Sequence, residues 1–135
     1  AIIGILAAIA IPNFMEMQYW AKRAEIPANV DGIKTAEMGY EAAFDTYIAA
    51  ATPAPNNSIN KKQRTWSGAN IINFDSLGWS PDGKVRGAYY VTTSTTGSSD
   101  FTVTGDSDVD GDGTLARYTS TKSINTTFHN NNDTY

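Results

Sequence analysis

Ala1-Ile-Ile-Gly4-Ile-Leu-Ala-Ala-Ile-Ala10-Ile-Pro12-Asn-Phe14 is an apolar run that ends at a proline and opens directly into a polar, helix-patterned segment, with no Asp, Glu, Lys or Arg before Glu16. Left in water such a run is costly, so it belongs against lipid or against other apolar helices. As a helix, the residues up to Pro12 reach only about 18 Å, against roughly 30 Å of bilayer hydrocarbon. The run therefore reads as a short buried helix or as the latter half of a longer one. Without an initiator Met, a basic flank or small residues set at a cleavage site, it is a poor fit to an intact secretory signal peptide.

Gly4-Ile5-Leu6-Ala7-Ala8-Ile9-Ala10-Ile11-Pro12-Asn13-Phe14 resembles, nearly residue for residue, the second half of the N-terminal helix of type IV pilins and the related pseudopilins. The resemblance implies an α+β fold: a long N-terminal α-helix with a protruding apolar half, packed on a C-terminal antiparallel β-sheet of three to four strands. In that family a basic leader is cut after a Gly, the new N-terminal Phe is methylated, and a Thr-Leu-Ile-Glu stretch precedes the apolar run. The chain starts part-way into that pattern, so those positions map onto no residue here.

The resemblance also implies a homo-oligomer. The expected product is an extracellular helical filament serving adhesion, motility or surface attachment, from a subunit that sits in the bacterial inner membrane before the pilus assembly machinery extracts it. Its assembly residues would be Ile2, Ile3, Gly4, Ile5, Leu6, Ala7, Ala8, Ile9, Ala10, Ile11, Pro12 and Phe14. Physics runs the same way, because a helix that is apolar all round needs burial on every side, and copies in a head-to-tail, non-closing arrangement supply it without limit. Ala7, Ala8 and Ala10 allow close helix approach, while Gly4 and Pro12 mark where the helix could unwind. Residues 1–25 would then form the protruding half and 26–135 the head, with a loop at 52–83 and the sheet at 84–135. Two alternatives stand beside this reading: a pseudopilin of a type II secretion system, and a membrane-anchored, calcium-dependent binding module that does not polymerise. Without the Tyr-Pro landmarks of the major pseudopilin, the filament pilin is favoured.

At 135 residues the chain suits one modest core. Its net charge of −4 argues against nucleic acid as a primary partner, since phosphate binding needs a basic surface. Lys61, Lys62 and Arg64 sit close together, with Lys84 and Arg86 further on, and they read as solvated loop charges. Cysteine is absent, so the chain must hold its loops by means other than the disulfide that closes the C-terminal loop in many pilins.

After Phe14 the helical pattern continues. Ile26, Val30, Ile33, Tyr40, Phe44 and Tyr47 form a core stripe, which Glu37 interrupts. Pro27 and Gly32 predict a kink or break between Ile26 and Ile33, Pro12 predicts another, and the breakers Thr52-Pro53-Ala54-Pro55 predict a helix end near Ala51. Residues from there to Ser80 lack periodicity and read as an irregular loop packed by Trp66, Ile71, Ile72, Phe74, Leu77 and Trp79. Ser80-Pro81-Asp82-Gly83 is a turn. Strands are expected at Arg86–Ser94, Phe101–Thr104 and Leu115–Thr121, in a meander whose first turn spans residues 93–100. The Asn- and Thr-rich tail offers Phe128 as an anchor and could add an edge strand or stay mobile.

One segment is chemically loaded: Asp106-Ser-Asp108-Val-Asp110-Gly111-Asp112-Gly113-Thr114. Four carboxylates so close repel one another unless something neutralises them, and the D-x-D-x-D-G spacing suits a calcium ion held by Asp106, Asp108, Asp110 and Asp112. The EF-hand match then fails, because the Glu expected at the twelfth place is Arg117 counted from Asp106, or Thr119 counted from Asp108. A hairpin loop folded around calcium is one reading. The other is a plain Asp-Gly turn with the remaining aspartates solvated.

Catalysis has little support: the one histidine, His129, lies in the polar tail, and neither a Cys nucleophile nor a serine elbow is present. Zinc lacks ligands, and no Gly-rich loop precedes a helix. Asn56-Asn57-Ser58, Asn125-Thr-Thr127 and Asn132-Asp-Thr134 match the N-glycosylation pattern weakly. Phe14, Tyr19, Trp20, Tyr40, Phe44 and Tyr47 read as core or subunit contacts in preference to an electron-conducting stack.

Overall fold

The computed structural model describes residues 1–94, 99–131 and 133–135. Residues 95–98 of the 93–100 turn and Asn132 of the last glycosylation match lie outside the described residues. The chain is α+β, with two N-terminal helices and a five-stranded antiparallel sheet.

Helices α1 (Ile2–Arg23) and α2 (Glu25–Phe44) are separated only by Ala24. The break expected between Ile26 and Ile33 thus falls earlier, for a simple reason. Pro27 has no N–H to bond the carbonyl of Arg23, four residues back, so the ladder fails just ahead of it and Pro27 itself sits in the first turn of α2, where an N–H is spare. Helix α1 runs through Pro12 without a break.

Helix α2 stops at Phe44, short of Ala51. Asp45 takes the left-handed conformation (φ 56°) and its N–H closes on the carbonyl of Glu41 at 2.8 Å. Phe44, past the last core turn, is 63% exposed and leaves the stripe, while Tyr47 folds back into the core from the loop beyond.

The stretch read as loop from Ala51 to Ser80 contains three elements: β1 (Ala50–Ala54), a 3-10 turn (Ala69–Ile71) and α3 (Ile72–Leu77). Strand β1 is why the sheet has five strands rather than three or four. Its proline is tolerable because β1 is an edge strand. Asn70 and Asn73 donate side-chain N–H groups to the carbonyls of Pro53 (2.9 Å) and Ala49 (2.7 Å), beside that edge. Gly83 has φ 86°, as the turn there requires.

The remaining strands, β2 (Ala88–Thr93), β3 (Phe101–Ser107), β4 (Ala116–Thr121) and β5 (Thr127–Phe128), follow in the order β1-β2-β3-β4-β5, every neighbour antiparallel. The tail does add the edge strand, with Phe128 stacked on Tyr118 at 4.7 Å.

The core lies between α2 and the sheet. Ile26, Val30 and Ile33 belong to one buried cluster with Tyr89, Val91, Phe101 and Val103, and Phe74 and Leu77 of α3 join it. Two glycines permit the close approach. A Cβ on Gly105 would lie 2.8 Å from methyl carbons of both Ile26 and Val30, and one on Gly32 would lie 2.7 Å from the indole nitrogen of Trp79. Trp66 packs edge-on against Trp79 (5.4 Å) and Phe74 (5.3 Å), so the aromatics of the irregular stretch pack on the helix and sheet as its composition suggested.

The position where Glu37 interrupts the stripe is itself buried: Glu37 is wholly inaccessible. One carboxylate oxygen accepts the N–H of Ile48 at 3.2 Å and the other has no hydrogen-bond partner among the described residues. Burial lifts its pKa from 4.5 to about 7, partly offset by the Ile48 N–H.

Candidate functional site

Helix α1 presents its apolar half to solvent on every side. Among residues 1–21 only Ala7 and Tyr19 are even half-buried, and Ile2 and Ile3 are 75% and 83% exposed. The helix has no acidic residue in its first turn, Glu16 as its first charge, and Lys22 and Arg23 in its last turn. The 22 residues of α1 span about 33 Å. The helical stretch Ile2–Phe44, α1 and α2 together, is long and apolar enough near its N-terminus to cross a membrane by length and composition. The apolar run thus continues past Phe14 in the same helix, as the helical pattern of the following segment had it. All twelve expected assembly residues, Ile2 to Pro12 and Phe14, lie on α1 and none is buried within the subunit.

The acidic segment separates into two parts. Strand β3 extends through Asp106, which faces Arg117 across β4 and holds it in a two-pronged ion pair, Nε to Oδ1 at 2.7 Å and Nη2 to Oδ2 at 2.8 Å. That carboxylate keeps the Arg117 guanidinium above its ordinary pKa. Both oxygens of Asp106 are therefore occupied by arginine.

Asp108, Asp110 and Asp112 do converge. Each offers a carboxylate oxygen, and the three atoms lie within 4.8 Å of one another. Aspartate side chains shape the loop: Asp108 accepts the N–H groups of Gly111 (2.7 Å) and Gly113 (3.2 Å), and Asp110 and Asp112 close Asx turns by accepting those of Asp112 (3.3 Å) and Thr114 (2.6 Å). Gly111 and Gly113 have φ of 75° and 85°, which only glycine takes without strain. Desolvation, with the negative charges of Asp112 and Asp108, raises the pKa of Asp110. The side chain of Lys61 lies against Gly111, where any Cβ would collide with it. The donor set suits a hard cation such as calcium, with backbone carbonyls and water completing a shell of six to eight oxygens.

A third cluster had no motif to announce it. Tyr135 is 7% exposed and lies on the polar half of α1: its hydroxyl donates to Glu16 at 3.0 Å and accepts from the indole N–H of Trp20 at 2.9 Å. Arg23, buried at 5% exposure, donates to the carbonyl of Thr134 and stacks over the rings of Phe128 (4.5 Å), Trp20 (5.0 Å) and Tyr135 (5.2 Å). The only sequence hint was the helical spacing of Glu16, Trp20 and Arg23, which puts them on one face.

No family model matches the chain, and no solved structure matches it. It is similar to the type IV major pilin protein PilA of Myxococcus xanthus (strain DK1622), with 47% identity over 47 residues. The match covers 35% of this chain and spans about a fifth (21%) of the relative's length. With its long N-terminal helix carried on an antiparallel sheet, the chain resembles a type IV pilin in both sequence and fold.

Proposed function

We propose that this chain is the structural subunit of an extracellular type IV pilus-like filament, held in the bacterial inner membrane by its apolar helix until an assembly machinery extracts it. One observation carries the reading: an apolar helix, unburied within its own subunit, projects from a head whose own core is closed. Only lipid or further copies of the helix can remove that surface from water. The similarity to a type IV major pilin supports the same role. Adhesion, motility and surface attachment would then be tasks of the outward-facing heads, and the role is structural, not enzymatic.

The test is removal of detergent from the purified full-length natural protein. Sedimentation and negative-stain imaging should find filaments some tens of Å wide, on the order of a few helix diameters with their heads. Discrete particles at every concentration would favour the non-polymerising binding module.

We further propose that Asp108, Asp110 and Asp112 take a calcium ion that stiffens this end of the head, a reading favoured by their convergence within 4.8 Å. Calcium at a hundred times its dissociation constant would add about 2.7 kcal/mol of stability. The head should therefore melt several degrees lower in chelator than in millimolar calcium, and Asp110→Asn should erase the difference. An unchanged melting temperature in chelator would remove the ion from the account.

A further inference from the structure

The geometry points to residues 133–135 as a strap that fixes the direction in which α1 leaves the head. Ala24 stands between α1 and α2, and Pro27 has no N–H with which to carry the helix ladder across it. A lever about 33 Å long hangs from that joint.

Tyr135 reaches across the joint. Its ring lies 5.6 Å from that of Tyr19 and 6.4 Å from that of Trp20. Its hydroxyl is wedged between Trp20 and Glu16, the one charged residue ahead of Lys22. Its backbone carbonyl accepts the N–H of Val109 at 3.1 Å, inside the acidic loop. Arg23 adds a bond to the carbonyl of Thr134 and a stack on Phe128 of β5. One short segment therefore ties α1 to the loop after β3 and to the edge of the sheet, doing by hydrogen bonds and ring contacts what a disulfide could not do in a sequence without cysteine.

A helix free to swing at Ala24 would have to be oriented each time a copy joins a bundle, and that lost freedom opposes association. The strap orients it beforehand. Tyr135 also gives Glu16 a donor from its own subunit, which lessens the cost of drawing that carboxylate toward an apolar bundle. The role in assembly rests on the filament reading above; the role in fixing the helix does not.

Pulsed electron–electron distance measurement separates the two. Residues 1–135 hold no cysteine, so spin labels at Phe14→Cys and Lys62→Cys in the full-length natural protein in detergent micelles report the angle of α1 against the head. The parent should give one narrow distance distribution. Tyr135→Phe, which keeps the ring and loses both hydroxyl bonds, should widen it, and Tyr135→Ala should widen it further while the head still melts cooperatively. Should Tyr135→Ala disturb the head, Tyr135→Phe alone decides. A distribution as narrow as the parent's overturns the strap, whether or not the parent forms filaments. On detergent removal the Phe variant should assemble about tenfold more slowly, the effect of losing a hydrogen bond to a charged group. A parent that assembles beside a widened variant that assembles equally fast overturns the link to assembly.

Discussion

Replacing Ile9 with lysine leaves the head folded and abolishes assembly. Ile9 is 62% exposed within the subunit, and none of its neighbours from Ile2 to Phe14 is buried, so the head loses nothing when it changes. The penalty arises only where copies meet or where lipid surrounds the helix. A lysine at the centre of an apolar helix costs roughly 2.5–3.5 kcal/mol, about a hundredfold in an association constant for each subunit added. Repeated along a polymer, that raises the critical concentration beyond practical reach. The check is sedimentation after detergent removal, with Ser76→Lys on the exposed side of α3 as the control that should assemble normally. Filaments of the Ile9→Lys protein at the parent's concentration would contradict the placing of this helix in the polymer interior.

The second large effect belongs to Glu37→Gln, which should stabilise the head at pH 8 and flatten its pH dependence. Glu37 is wholly buried between α2 and the loop that follows it, with one oxygen on the N–H of Ile48 and the other unpartnered among the described residues. Its folded pKa stands at about 7, above the 4.5 of the unfolded chain. Between those values the folded state holds the proton and the unfolded state releases it. Stability therefore falls as pH rises from about 4.5 through 7, and above 7 the penalty is complete. Glutamine keeps an acceptor for Ile48 and carries no charge, so the penalty goes: about 2 kcal/mol at pH 8, or some 4–16 °C in melting temperature for a domain of about this size. At pH 4.5 the two proteins should melt within a degree or two of each other. Urea melts at both pH values provide the comparison. An equal or lower midpoint for Glu37→Gln at pH 8 would mean that the carboxylate stays charged in the folded state by some compensation not visible around it.

Glu37 also shows where reading the sequence ran out. Ile26, Val30 and Ile33 were legible because apolar residues at helical spacing have one economical use, and all three are fully buried. Glu37 looked like an interruption of that stripe, because a carboxylate at a core position is too costly to expect without seeing the Ile48 N–H that meets it. Strand β1 was hidden by Pro53 and Pro55, which end helices and central strands but are tolerated at an edge. The three later strands stood out through Tyr89, Val91, Val103 and Tyr118, yet β3 runs on through Asp106, because the pairing with Arg117 across the sheet outweighs the low strand propensity of aspartate.

The candidate sites divide in the same way. The apolar run was legible as a helix, and its composition sets it apart from the head, where none of Ile2 to Phe14 is buried. The acidic loop was readable as a cluster, but which aspartates face one another depended on the partner strand: Arg117 takes Asp106 and leaves Asp108, Asp110 and Asp112 together. The contact of Tyr135 with Glu16 and Trp20 joins residues more than a hundred positions apart. No local pattern encodes such a pairing; it exists only because the meander returns the tail to the start of the head.

Helical reconstruction of filaments formed by the full-length natural protein locates α1 within the polymer. The α1 helices of many copies should lie packed side by side along the filament axis, with Ile2 to Phe14 out of contact with water and the five-stranded heads on the outside. Filaments held together through the heads, with the apolar helices at the periphery, would contradict it.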